Sequence, residues 1–268
     1  MFLARFLFKD AYRSVTNPNG REFLRLLLRY ADRKRYVPTE VAFDTYQFNV
    51  PDALSFVWQY KEIFVDEFYR FNTQQPAPVI FDCGANIGMS VAYFRKQYPN
   101  ARVVAFEADP KISAILQQNL SRNQIANLEV VNKAVWVNND GILFGSEAAD
   151  SSSIYSQSPK SFIPSVRLHD YLVRESRIDM LKIDIEGAET DVLDDCRHAL
   201  SHVQNLFVEF HSYIGQPQSL GRVVQIIEEN GFRYYVNTYQ DRKRPFINHQ
   251  YANNPVMDLQ LNIFAWRP

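Results

Sequence analysis

Two sets of residues in this sequence have the types and spacing to do chemistry. The first is Asp82, Gly84 and Gly88, followed by Glu107. An apolar run ends in Asp82, Gly84 permits a tight backbone turn, and Gly88 opens a helical stretch whose first amides attract negative charge. Glu107 lies 19 residues beyond Gly88, near the ~20-residue spacing at which an acid holds ribose hydroxyls. Its two oxygens match two vicinal hydroxyl donors, and its charge repels a 2′-phosphate. This is no dinucleotide fingerprint, because G-x-G-x-x-G is absent and only Gly84 and Gly88 are present. The set predicts a nucleoside cofactor with a carboxylate tail, which points to S-adenosylmethionine. Asp82 is then the expected acceptor for the cofactor ammonium. A tight strand–helix turn without a ligand is the competing reading.

The second set is two pairs, Asp184 with Glu186 and Glu209 with His211. A spacing of two puts both members of a pair on one face of a strand. Open parallel sheets hold ligands just past their strand C-terminal ends. His211 is the natural proton acceptor near neutral pH. Asp184 and Glu186 would bind acceptor hydroxyls, orient His211 or contact the cofactor amine, with Glu209 beside them. An edge-of-sheet hydrogen-bonding role for His211 competes with this reading. The four are also of the right type for Mg²⁺, but nothing fixes an octahedral set, and no metal is assigned. Glu189 reads as a helix N-terminal residue and Lys182 as a core-edge residue. Trp58, Tyr60 and Glu62 either cover the site or pack an apolar wall.

These residues need elements to position them. Short β-rich runs alternate with helical stretches after residue 76, which predicts a mostly parallel α/β sheet. Strands are expected at 78–82, 102–107, 128–136, 180–185, 205–211, 232–239 and 259–266. Helices are expected at 88–98, 110–123, 166–175, 188–199 and 220–230. Asp109 is a plausible N-cap with Pro110 at the first helical position. The turn at 138–141 predicts a hairpin from 128–136 to 142–144. The last two strands have no helix between them, so they should pair antiparallel at a sheet edge. Residues 145–161 are serine-rich, either a loop over the acceptor carrying Asp150, Ser152 and Ser153, or a linker.

Residues 1–75 read as a helical extension and 76–268 as the main domain. Within the extension, a helix at 21–35 presents Phe23, Leu24, Leu27, Leu28 and Ala31 as an apolar face. Arg21, Arg25, Arg29 and Arg33 form a basic stripe, either a solvated face or a docking surface for an acidic partner or headgroup layer.

The chain has 268 residues, 46% apolar, with 29 basic and 30 acidic side chains. This supplies a core and no global field toward nucleic acid. The two cysteines, Cys83 and Cys196, form neither a metal pattern nor a disulfide framework, which predicts a reducing, cytoplasmic setting. The N-terminus lacks a signal-peptide core, and no apolar run approaches the ~20 residues that span a bilayer.

The segments FDCGANIGMSVAYF, VVAFEADP, KAVW, LKIDIEGAE and VEFH resemble the FkbM-type family of S-adenosylmethionine-dependent methyltransferases, over roughly residues 56 to 240. The resemblance implies a Rossmann-like class I methyltransferase fold with strand order 3-2-1-4-5-7-6. Along the matched segments it implies cofactor contacts at Asp82, Cys83, Gly84, Ala85, Asn86, Gly88, Glu107, Ala108, Asp109, Ala134 and Asp184. It also implies O-methylation of a sugar, glycan precursor or natural product. The expected partner is thus a small-molecule or glycan acceptor rather than nucleic acid, with peripheral membrane contact and a homodimer left open. A nicotinamide-dependent oxidoreductase and a non-catalytic scaffold are the alternatives.

Overall fold

The computed structural model describes residues 17–145, 160–238, 242–252 and 254–268. Its centre is a seven-stranded sheet. In chain order the strands are β3 (Val79–Cys83), β4 (Arg102–Phe106), β5 (Leu128–Val131), β10 (Ile178–Ile183), β11 (Val203–Tyr213), β12 (Arg233–Asn237) and β13 (Met257–Trp266). Their spatial order is β12-β13-β11-β10-β3-β4-β5, which is the expected 3-2-1-4-5-7-6. The first five run parallel, and β13 pairs antiparallel with both β11 and β12. This is the class I methyltransferase topology.

Alternate residues of each central strand enter opposite cores, as the two-residue side-chain period requires. Ile80, Val103, Ala105, Met180 and Phe207 face one cluster. Phe81, Val104, Leu181, Ile183 and Val208 face the other. The second core is closed by α5 (Leu168–Leu172), α6 (Glu189–Cys196) and α7 (Leu220–Glu229). The first is closed by α3 (Met89–Gln97), α4 (Pro110–Arg122) and the segment before the sheet.

That segment is not wholly helical. It holds α1 (Pro18–Tyr30), a hairpin of β1 (Thr39–Phe43) and β2 (Tyr46–Val50), and α2 (Ala53–Tyr60) running into a π-helical turn, Lys61–Val65. Val41, Phe43, Phe48 and Val50 point inward while Glu40, Ala42 and Gln47 face solvent, a period of two that marks strands. Asp44 closes the turn at φ +47°, a conformation aspartate tolerates better than most residues. On α1 the buried face is Gly20, Phe23, Leu26 and Tyr30, and Leu28 is 88% exposed. The predicted apolar face was rotated by about one position at that end.

Two further expectations change. Residues 128–136 form two strands: after β5, β6 (Ala134–Trp136) leaves the main sheet and pairs parallel with β9 (Ser165–Arg167). The strand after the turn, β7 (Ile142–Gly145), pairs forward with β8 (Lys160–Ile163) rather than back with β6. The positions Asp150, Ser152 and Ser153 lie outside the described residues. No helix among the described residues is long and apolar enough to cross a membrane.

Candidate functional site

The C-terminal ends of β3, β4, β10 and β11 open into a cavity of about 890 Å³. Gly84, Ala85, Asn86, Glu107, Ala108, Asp109 and Ala134 line it, and so do Asp184, Glu186, Glu209 and His211. All were predicted site residues. Asp82, Cys83 and Gly88 do not line it.

The two glycines act through packing. Gly84 has φ +86°, and a Cβ there would sit 1.8 Å from the Asp184 carbonyl oxygen. It therefore lets the loops after β3 and β10 touch. Gly88 has φ +95°, and its Cβ would meet Leu116 Cδ1 at 2.7 Å. The close approach expected between Gly88 and a ligand is instead an approach to α4.

Glu107 ties the turn after β3 to the start of α4. Its carboxylate accepts the Asn86 amide at 2.9 Å and the Asp109 amide at 2.9 Å. Burial pushes it up to about 7 against those two bonds. Each oxygen keeps a second lone pair for a ligand hydroxyl. Asp109 caps α4 through the amides of Lys111 and Ile112. Asn86 sits at φ +47°, and its side-chain oxygen is buried without a hydrogen-bond partner among the described residues. A buried acceptor of this kind costs about 1–3 kcal/mol unless a donor reaches it.

Asp82 is fully buried and accepts a hydrogen bond from Ser90 Oγ. Lys182, read from sequence as core-edge, is the residue the sequence reading missed. Its ammonium is 3.3 Å from both Asp82 and Asp184 and donates to the Gly84 carbonyl at 2.8 Å. Burial opposes its charge, but Asp82 and Asp184 outweigh burial and hold it well above the ordinary lysine range. The available signal was a lone lysine in an apolar strand. Its register opposite Asp82 follows only once β10 is known to lie beside β3.

His211 is held by Glu189. Glu189 Oε1 accepts from the amides of Ile185 (3.2 Å) and Gly187 (3.0 Å) and lies 3.0 Å from His211 Nδ1. The helix-terminal role expected for Glu189 is present, and orienting His211 is added to it. A carboxylate only accepts, so Nδ1 carries hydrogen and Nε2 is the working atom. Nε2 lies 3.7 Å from Glu186 and 3.8 Å from Glu209. Tyr213 donates to Glu186 at 3.4 Å, and Gln260, opposite His211 across β11–β13, donates to Glu209.

The electrostatics around His211 are unusual. Burial, reinforced by Asp184 and Glu209, pushes Glu186 up to about 8 against the pull of His211. Burial and Asp184 push Glu209 up to about 7. Burial with Glu209 and Asp184 takes Glu62, from the π-helical turn, up to about 8. For His211, burial pulls down, but Glu186, Glu189 and Glu209 together raise it well above its ordinary value. The carboxyl groups around it thus favour the protonated form of the ring that the sequence marks as a proton acceptor near neutral pH. Asp184, Glu186 and His211 also offer donor atoms within 4.8 Å of one another, close enough for one divalent cation to reach. Of the three residues expected at the N-terminal wall, Trp58 and Glu62 line the cavity. Tyr60 is fully buried and stacks on Phe64.

Comparison with known proteins identifies the family. The chain is 29% identical to methyltransferase sdnD of Sordaria araneosa, over 65% of this chain and 80% of that one. It is 27% identical to 31-O-demethyl-FK506 methyltransferase FkbM of Streptomyces tacrolimicus, again over 65% and 80%. With 2-O-methyltransferase NoeI of Sinorhizobium fredii it shares 26% identity over 51% of this chain and 65% of that one. The family model for the methyltransferase FkbM domain matches residues 82–234, from Asp82 in β3 to Tyr234 in β12. That span takes in Glu107, Lys182, Glu189 and His211, and the chain belongs to the FkbM methyltransferase family.

Proposed function

We propose that this protein transfers the methyl group of S-adenosylmethionine to a hydroxyl of a sugar, glycan precursor or natural product. The observation that carries the reading is one cavity that joins a ribose-type acid to a histidine ringed by carboxyl groups. Glu107 and Asn86 line it together with His211, Asp184, Glu186 and Glu209, and the Asn86 side-chain oxygen has no partner among the described residues. The residues present fit this cofactor. Glu107 has lone pairs free for ribose hydroxyls, and Asn86 lacks a donor. Asp184, Glu186 and Glu209 crowd three carboxyl groups together here, and a ligand carrying positive charge would favour their ionised forms. When bound, the cofactor supplies an activated methyl group on a sulfonium.

The chain's own residues do the rest. Lys182 fixes the spacing of Asp82 and Asp184 and so the shape of the turn that carries Ala85 and Asn86. Glu189 locks the His211 ring with Nε2 toward the cavity. His211 takes the acceptor proton at Nε2, and Glu186 and Glu209 stabilise the resulting imidazolium. A positioned base of this kind contributes about 10²–10⁴-fold. The names of two relatives, a 31-O-demethyl methyltransferase and a 2-O-methyltransferase, favour oxygen as the acceptor atom.

Calorimetry tests the cofactor half. S-Adenosylmethionine and its demethylated product should both bind the full chain, and NADH should not. Glu107→Ala should weaken binding by about tenfold or more, the size of a lost charged hydrogen bond. Absence of heat with either sulfur compound would sink the proposal.

A further inference from the structure

The mouth of the cavity is bounded in part by described residues just before and at the start of β13. Tyr251, Ala252, Asn254 and Val256 line the cavity directly. Just before them, Phe246 is 94% exposed and Ile247 is 77% exposed. They stand at the apex of a tight turn, in which the amides of Ile247 and Asn248 both donate to the Arg244 carbonyl at 2.9 Å. The turn is tied down at its base, where the Arg242 guanidinium donates to the Asp258 carbonyl. Lys243 and Arg244 are exposed beside the apex, and the sequence from Arg242 to Met257 contains no acidic residue.

Other exposed apolar side chains adjoin the same mouth. Trp58 lines the cavity and is 43% exposed. Ile214 is 48% exposed, and its amide donates to the Val256 carbonyl at 2.9 Å. An aromatic and an aliphatic side chain held out together lose free energy to water with no contact inside the fold. Cations flanking such a tip match an anionic headgroup layer, where apolar groups enter the interface and lysine and arginine stay at its charged surface.

We propose that residues 242–252 dock on an anionic lipid surface, with Phe246 and Ile247 inserted and Lys243 and Arg244 on the headgroups. On the methyl-transfer reading, this turns the cavity mouth toward an acceptor held at the membrane. Vesicle binding is independent of methyl transfer, so failure of one leaves the other standing.

The test is co-sedimentation of the full chain with vesicles of phosphatidylcholine alone and of phosphatidylcholine mixed with phosphatidylserine. Binding is expected on the mixed vesicles, weaker at high salt and weaker without phosphatidylserine. The double variant Phe246→Ser, Ile247→Ser should lose about tenfold or more in vesicle affinity, since burying each such side chain accounts for at least that. Lys243→Glu with Arg244→Glu should lose binding to the mixed vesicles. Both double variants should keep the thermal midpoint and cofactor affinity of the parent chain. Loss in them ties the binding to this turn rather than to the arginines of α1. Any of three results overturns the proposal: no sedimentation with either vesicle, double variants that bind like the parent, or retention on single-stranded RNA with vesicles ignored.

Discussion

Lys182 is 2% exposed and lies between two carboxylates, each 3.3 Å away. Its partner Asp82 has no access to water. Replacing the lysine by methionine keeps most of the volume and removes the charge, leaving the buried Asp82 carboxyl group without its cationic partner. Breaking a buried pair in this way costs about 3–5 kcal/mol. At about 2–4 °C per kcal/mol for a domain of this size, Lys182→Met should lower the thermal midpoint by roughly 6–20 °C. A shift within about 2 °C would mean that the ion pair does not matter to the fold.

His211 makes a prediction of a different kind. Glu186, Glu189 and Glu209 face it from the loop after β10, from α6 and from its own strand, and Tyr213 lies beside Glu186. They hold it protonated above its ordinary value, so the neutral ring that accepts a proton becomes populated only as pH rises through that raised value. Turnover, read as release of demethylated cofactor with a panel of hydroxyl acceptors, should therefore climb with pH above neutrality. His211→Gln should keep cofactor affinity, slow turnover by about 10²–10⁴-fold and flatten the climb. A rate already level at pH 7 would remove His211 as the base. The residues at strand ends were legible in the sequence because a spacing of two and a neighbouring turn are local signals. Lys182 and the Glu189–His211 contact were not, because each joins positions about 20 to 100 residues apart through strand order.

Among elements, the β1–β2 hairpin owes its place to two asparagines on α4. Asn119 accepts the Asn49 amide at 2.7 Å and donates to the carbonyls of Asn49 (3.1 Å) and Ile87 (3.0 Å). Asn123 accepts the Gln47 amide at 2.8 Å and donates to the Gln47 carbonyl at 2.8 Å. The outer edge of β2 is thus paired with side-chain amides instead of a strand, which covers an otherwise open edge. Asn119 is fully buried, so Asn119→Ala leaves an amide and two carbonyls without partners. The expected cost is about 3–9 kcal/mol, since each of the three groups left unsatisfied costs about 1–3. Hydrogen exchange should speed up at Asn49 before it does in β3 or β10. Equal acceleration throughout would show that the asparagine supports the whole fold rather than the docking. The hairpin's alternation was present in the sequence but short, and its turn at Asp44-Thr45 lacks the glycine that usually announces one. The long strands and capped helices were legible because each carries its own period and its own stop signals. The split of 128–136 was not, since what separates β5 from β6 is a change of partner strand.

At the scale of the whole molecule, the expected boundary near residue 75 does not divide the packing. Phe23, Tyr30, Phe43, Phe56 and Phe64 share one cluster with Ile80, Val91, Val103 and Phe207 of the sheet and its helices. Phe64 meets Tyr93 edge-on at 5.4 Å, and Tyr69 meets Phe207 at 5.0 Å. A sheet buries both faces only if something covers each, and here residues 17–75 supply much of one cover. They also supply Trp58 and Glu62 to the cavity. A chain cut to begin at residue 76 would expose that face. Each large side chain so exposed forfeits about 1.5–3 kcal/mol, and several such losses match the 5–15 kcal/mol that typically holds a domain together. The truncated chain should therefore be insoluble or unfolded. The full chain should melt in one calorimetric transition whose van't Hoff and calorimetric enthalpies agree. Two separated transitions, or a soluble 76–268 fragment with native circular dichroism that binds the cofactor, would make the first 75 residues an appended domain. One transition and a fragment that cannot fold would make them the second wall of the methyltransferase.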